Sequence, residues 1–339
     1  MADVVVVGAG IIGLTCALRL QRRGLRVTVV YAEPPARTVS VLAAAVWYPT
    51  RTDAGPAVLD QAGRTFDVFA GQARDRVPGV TMRPTRMLLR AGVDGPPWWG
   101  PAVPDLRYCA VVAASDPAPA APGPVVTVPP TNAGPVVAEW RCTVPAVEMR
   151  PYLDWLVDRL VAGGAVLRQR RLATLAQAAQ FAPVVVNASG LAAGLLADDP
   201  AVHPVRGQVV VVANPGVTTS VRDEAHPDGP TYVHPRAHDV VLGGTFEPDA
   251  AAAPPDPATS RAIRRRCVAL VPQLSGAPVR GEYVGLRPAR HGGARVGVDP
   301  APPPGVTRLV HCYGHGGAGM TLSWGCADQV AALVTGQVD

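Results

Sequence analysis

The 339-residue sequence contains no lysine, so all 31 basic residues are arginine. Aromatic residues are scarce at 5% and charged residues low at 17%. Arginine beside abundant Ala, Gly and Pro fits a GC-rich coding sequence. A net charge of +5 suggests nucleic acid only if it is clustered. The densest patches are Arg168, Arg170 and Arg171, then Arg264, Arg265 and Arg266, and neither is interleaved with aromatics. A nucleic-acid footprint is therefore absent. The six cysteines (Cys16, Cys109, Cys142, Cys267, Cys312, Cys326) form no CxxC pair and no metal-like spacing. They read as reduced thiols of an intracellular protein, with no metal site expected. The apolar start from Val4 to Leu20 lacks a basic lead-in and is broken by Gly8, Gly10 and Gly13. It is neither a signal peptide nor a membrane span, and Gln337-Val338-Asp339 carries no targeting signal, so cytoplasm is the expected compartment.

What is present is a chain 48% hydrophobic, with 35 Gly and 37 Pro. Its length allows two lobes or one large α/β unit and a core that needs no staples. Val4–Val7 reads as a doubly buried strand and Ile11–Arg23 as a helix stopped at Gly24. Val27–Val30 then supplies a second strand, the opening of a doubly wound sheet. Pro117 to Pro130 reads as a long surface connection or hinge. An amphipathic helix runs from Pro151 to Ala162, with Ala165–Leu167 and Val184–Val186 as further strands of that sheet. Val209–Val212, Thr231–Val233 and Val240–Leu242 suggest an antiparallel second sheet. Asp249–Pro257 is a loop before a helix near Ser260–Leu270, and Met320–Val334 is a last helix after a glycine-dense loop. Strand-helix units at both ends and in the middle imply two interleaved domains. The expected division puts 1–50, 140–195 and 285–339 in a Rossmann-like nucleotide domain. Residues 51–139 and 196–284 form an antiparallel-sheet α+β substrate domain.

Gly8-Ala9-Gly10-Ile11-Ile12-Gly13 matches GxGxxG between a predicted strand and a predicted helix. The first glycine makes the turn, the second admits a pyrophosphate to backbone N–H groups, and the third lets helix and strand pack closely. Glu33, twenty residues past Gly13, can accept both ribose hydroxyls of an adenosine and would repel a 2′-phosphate. A glycine-rich helix start alone explains the glycines but not Glu33. The fingerprint does not separate NAD from FAD.

Eight segments in order resemble the D-amino-acid oxidase family of FAD-dependent enzymes along nearly the whole chain. After the glycine loop comes Val41-Leu42-Ala43-Ala44-Ala45-Val46-Trp47-Tyr48-Pro49, then Val186-Asn187-Ala188-Ser189-Gly190-Leu191. Arg206-Gly207-Gln208, Tyr232-Val233-His234-Pro235-Arg236 and Leu242-Gly243-Gly244-Thr245 follow. Gly285-Leu286-Arg287-Pro288-Ala289-Arg290 and the run from His311 to Thr321, with Trp324-Gly325, complete the set.

An α-amino acid needs a carboxylate clamp, and the planar fork of an arginine suits it. The resemblance makes Arg287 that clamp and Tyr232 the hydroxyl beside it, with the Gly317 carbonyl accepting from the substrate amine. It places Ala43, Ala44, Ala45, Val46, Leu172, Ser189, Gly190 and Gly316 near FAD. Gly319, Met320 and Thr321 would begin a helix whose positive end meets the flavin C2 carbonyl. The implied reaction is hydride transfer to flavin N5, reoxidation by O2 to H2O2, and hydrolysis of the imino acid to a 2-oxo acid and ammonia. His315 is not assigned as a base. D-amino acid and O2 are the expected small-molecule partners, without nucleic acid or membrane, and a homodimer stands as the expected assembly.

Three departures bear on the substrate. Thr50 stands where many family members carry a tyrosine, which predicts a wider or more polar pocket. Residues 215–231 should lie over the substrate and lack a second tyrosine. Arg222-Asp223 resembles a pair in the D-aspartate oxidase branch, but Phe246 replaces that branch's other arginine. Neutral D-amino acids are therefore expected, with Arg222 solvent-exposed. D-aspartate oxidase and a glycine/sarcosine-type amine oxidase remain sister alternatives. An NAD-dependent dehydrogenase is the alternative of a different class, and a flavoprotein without turnover is disfavoured by Arg287 and Tyr232. Asn187-Ala188-Ser189 matches a glycosylation sequon, but after a buried strand it reads as structural.

Overall fold

The computed structural model describes residues 2–49, 51–52, 54–110, 134–250 and 254–336. Thr50 and the proline-rich stretch from Pro117 to Pro130 lie outside the described residues. In chain order the first elements are β1 (Val4–Val7), α1 (Ile11–Arg22), β2 (Val27–Tyr31), α2 (Pro56–Arg74), β3 (Val80–Leu89), β4 (Arg107–Ala110) and β5 (Ala138–Val147). Then come α3 (Met149–Ala162), β6 (Val166–Gln169), β7 (Val184–Asn187), α4 (Ala193–Leu196), β8 (Val202–Ala213), β9 (Ser220–Asp223), β10 (Thr231–Pro235) and β11 (Asp239–Gly243). The rest are β12 (Glu247–Pro248), α5 (Pro257–Leu270), β13 (Val279–Arg290), β14 (Arg295–Val298), β15 (Arg308–Tyr313) and α6 (Gly319–Thr335).

The first sheet runs β14-β15-β7-β1-β2-β6, parallel except for β14. Val4–Val7 occupies its centre because four valines tolerate burial on both faces, at 0–5% exposure. The chain leaves β1 through α1 to β2 on one side, and β7, reached later from β6, pairs on the other. A crevice therefore opens at its carboxyl end, the usual ligand position in such sheets. Helix α1 packs on α3 and α6, with Leu14, Cys16 and Leu20 against Trp324 and Cys326 in one core.

The second sheet runs β12-β8-β11-β10-β9-β3-β5-β4, and β13 pairs with the free side of β8. It is antiparallel except where β3 meets β9. Helix α5 covers it, placing Ile263 and Cys267 against Val210, Val233 and Leu242. The domain boundaries expected near 140 and 285 fall inside β5 and β13, which both run in this second sheet. The ladder of β13 on β8 runs from Val279 to Arg290 with one irregularity between Val279 and Gly281, so the chain changes sheets only after Arg290. Asn187 of the sequon is fully buried and bonds Ser189 and His311, a structural role as expected. Among the described residues no helix is long and apolar enough to cross a membrane.

Candidate active site

A single cavity of about 1020 Å³ lies between the two sheets. One end is the turn from β1 to α1. Gly8 has φ +120°, and a Cβ there would sit 2.3 Å from the Ala188 carbonyl oxygen. A Cβ on Gly13 would sit 2.0 Å from the Gly8 oxygen. Gly13 does not line the cavity; it lets α1 press on the turn, as its position in the fingerprint predicts. Gly8, Gly10, Ile11 and Ile12 do line it. The amino end of α1 has no side-chain cap; the Ile11 N–H donates to Ser40 Oγ at 3.1 Å. Aligned N–H groups and backbone without Cβ atoms form the cradle that a pyrophosphate fits.

Glu33 reaches the same cavity just beyond β2, half-exposed and 3.2 Å from Arg171. Ala43, Ala44, Ala45 and Val46 form one wall. It is held to the second sheet by Trp47 N–H donating to Pro145 at 2.7 Å and Val147 N–H donating to Ala45 at 2.8 Å. Leu172, Ser189 and Gly190 line the far side. Gly316, Gly317, Gly319, Met320 and Thr321 bring the start of α6 to the cavity, again without a side-chain cap. Thr321 Oγ1 accepts from the Tyr48 N–H at 3.1 Å, which pins that helix start to the alanine wall. The site thus carries two helix amino ends, glycine turns and an acid in register, and FAD fits this donor set.

The other end of the cavity holds Arg287 on β13 and Tyr232 on β10. Arg287 donates to the Thr245 carbonyl at 3.2 Å and more weakly to Arg206 at 3.4 Å. Among the described residues no acid pairs with it, so its charge stays available to an incoming carboxylate. Two glycines make the room. A Cβ on Gly207 would lie 2.2 Å from an Arg287 nitrogen, and one on Gly243 would lie 1.9 Å from the Tyr232 ring. Both lie in segments that resemble the family, but their roles depend on strand pairing: Gly207 meets Arg287 across β8 and β13, and Gly243 meets Tyr232 across β10 and β11. Burial raises the Tyr232 phenol above its usual range, which keeps it a donor. His234 stacks on that ring at 4.8 Å, and burial holds its imidazole well below the usual range.

Arg222 is not solvent-exposed as expected. It is 7% exposed, lies opposite Tyr232 in the sheet, and lines the cavity. Its guanidinium sits 3.8 Å over the Tyr48 ring and 2.8 Å from Glu224. The reason is the pairing of β9 between β10 and β3, which buries a segment whose composition looks like a loop. Asp223 pairs instead with Arg90 at 2.5 Å. Tyr48, Glu224, His234 and Phe246 are further cavity residues that were not assigned as site residues. His315 is buried, with a ring nitrogen 4.0 Å from Cys312 Sγ. Nothing in that contact makes it a base.

Comparison with known proteins identifies the family. Residues 3–333 match the family model described as FAD dependent oxidoreductase. A D-amino-acid oxidase of Rubrobacter xylanophilus is 46% identical over 333 residues, covering 98% of this chain and 96% of that protein. A D-amino-acid oxidase of Streptomyces coelicolor is 42% identical over 343 residues, covering 98% and 97%. Among solved structures, glycine oxidase from Geobacillus kaustophilus superposes with a TM-score of 0.80 at 18% identity, covering 100% of this chain and 95% of that one. The last likeness speaks for the fold alone. The NAD-dependent alternative is set aside by the family match. The chain belongs to the family of FAD dependent oxidoreductases, and FAD is the cofactor that this membership implies.

Proposed function

We propose that the protein is an FAD-dependent D-amino-acid oxidase acting on D-amino acids with neutral side chains. The observation that carries this reading is Arg287, a cavity arginine with no acidic partner among the described residues, set beside Tyr232 in the same space as the dinucleotide cradle. Arg287 binds the substrate carboxylate through its planar fork, and the Tyr232 hydroxyl donates to the same group. The Gly317 carbonyl accepts from the substrate amine. Three contacts fix the Cα hydrogen in one direction, so the protein's part is orientation, worth several kcal/mol of barrier. FAD held in this cradle would supply the two-electron acceptor, with O2 as the final oxidant and H2O2 as its product. No side chain is needed to remove a proton from Cα.

The neutral preference is supported by Glu224. It compensates Arg222 at 2.8 Å, which leaves Arg287 as the cation without an acidic partner, among the described residues, beside Tyr232, while Arg51, also on the cavity wall, stacks on Phe246 at 3.8 Å. The two lobes divide the work along the sheets. The parallel sheet with α1 and α6 holds FAD, and the antiparallel sheet with Arg287 and Tyr232 holds the substrate. Six buried free cysteines support a reducing compartment such as the cytoplasm. The test is H2O2 formation across D-alanine, L-alanine, D-methionine, D-aspartate and glycine. D-Alanine or D-methionine should lead. Preference for D-aspartate or glycine would replace the reading with a sister activity, and preference for L-alanine would remove it.

A further inference from the structure

A second cluster of chemistry-bearing side chains lies away from the cavity, where the chain leaves the second sheet. We propose that His203, Asp249 and His291 form a surface binding site for one divalent transition cation of the Zn2+ or Cu2+ type. One ligand atom from each of the three lies within 4.8 Å of the others. The two imidazole rings stack, with centroids 4.0 Å apart and planes 17° from parallel, so one ring must turn out of the stack to aim both lone pairs at a single ion.

The backbone holds the three residues together before any ion arrives. β13 pairs with β8 so that Ala289 faces His203 and Arg290 faces Val202, and His291 follows directly. The His291 N–H donates to the Ala201 carbonyl at 2.9 Å. That same carbonyl lies 3.2 Å from His203 Nδ1. A carbonyl only accepts, so Nδ1 carries the proton and Nε2 is left with its lone pair for a metal, the arrangement that orients metal-binding histidines. Asp249 follows β12, which pairs with β8 at Arg206 and Val205, and its N–H donates to the Pro204 carbonyl at 2.9 Å. Three segments thus deliver three ligands through backbone contacts to residues 201–206. His203 is half-buried and the other two are exposed, so an ion reaches them from solvent without crossing the FAD site.

Local charge permits a cation. The neighbouring Arg290 is turned to Asp199 at 2.9 Å and to the carbonyls of His291 and Gly293. Two imidazoles and a carboxylate suit Zn2+, Cu2+ or Ni2+ better than Ca2+ or Mg2+, which prefer oxygen sets. Three protein ligands leave a position for water. No cysteine takes part, and the ligands are spread from 203 to 291, so no spacing motif marks them. The ion would clip β8, β13 and the turn after β12 together, and β13 is the strand that carries Arg287.

The test is calorimetric titration of the FAD-loaded full-length protein with ZnCl2, with electron paramagnetic resonance of one added equivalent of Cu2+. The expected result is one saturable Zn2+ equivalent, a raised Tm, and a Cu2+ signal coupled to two imidazole nitrogens. His203→Ala and His291→Ala should each weaken Zn2+ binding at least about tenfold and leave a single nitrogen coupling. FAD content of each variant reports that it has folded. Absence of saturable binding, a wild-type Cu2+ signal with one nitrogen, or unchanged affinity in folded variants would each overturn the proposal.

Discussion

Replacing Gly207 with alanine tests the clamp through a residue that brings no side chain of its own to the cavity. A Cβ at 207 would stand 2.2, 2.3 and 2.4 Å from the two terminal nitrogens and central carbon of the Arg287 guanidinium. Ordinary non-bonded contact requires the group to retreat by more than about 1 Å. The guanidinium is the far end of a flexible side chain, so it can move without disturbing β8, where the Gly207 backbone is extended. Folding and FAD content should therefore change little. The clamp should not survive intact. A charge-assisted hydrogen bond is worth about 1.5–3 kcal/mol, so losing one of the two arms should lower kcat/KM by about 10- to 150-fold. The expected signature is a rise in KM for D-alanine, with normal flavin absorbance and a Tm within a few degrees of wild type. A flavin-loaded variant with kcat/KM within twofold of wild type would refute the claim that Arg287 at this position holds the carboxylate.

Other outcomes follow from the same structure. Gly13→Ala brings a Cβ to 2.0 Å from a backbone oxygen that cannot swing away, so FAD content and stability should both fall, measured by the flavin-to-protein absorbance ratio and Tm. Arg222→Ala removes a buried cation and leaves Glu224 unpaired beside the pocket. Turnover of D-methionine should persist while any activity on D-aspartate falls further, and selective loss of D-methionine activity would contradict the neutral preference. His234, buried with its pKa well below the usual histidine value, stays neutral in the fold while the unfolded chain takes up a proton below about pH 6.5. The unfolded state then binds more protons, so stability should fall as pH drops from 7 to 5. The slope should reach about 1.4 kcal/mol per pH unit per such group. Denaturant titrations of wild type and His234→Gln check this, since the variant should show a shallower slope.

The parts of this fold that sequence exposes are local ones. Val4–Val7, the glycines after it, Glu33 and the helix from Gly319 each carry their signal within a few residues, and the structure places all of them on one cavity or directly beneath it. Longer-range features are hidden for a physical reason. Gly207 matters only because β13 returns antiparallel beside β8 and lays Arg287 across it. Gly243 matters only because Tyr232 sits opposite it on β10. Arg222 looks like surface until β9 is seen clamped between β10 and β3. The boundaries at 140 and 285 follow the alternation of strand-helix units with strand-rich blocks, whereas β5 and β13 follow hydrogen-bond ladders that run through those points.

Anaerobic mixing of the FAD-loaded protein with D-alanine, followed in the flavin absorption bands, tests whether this cavity orients a D-amino acid against FAD through Arg287. D-Alanine should bleach the bands while L-alanine leaves them intact, and Arg287→Ala should keep its flavin but bleach only at far higher D-alanine concentration. Bleaching by both enantiomers, or undiminished bleaching of the variant, would contradict the account.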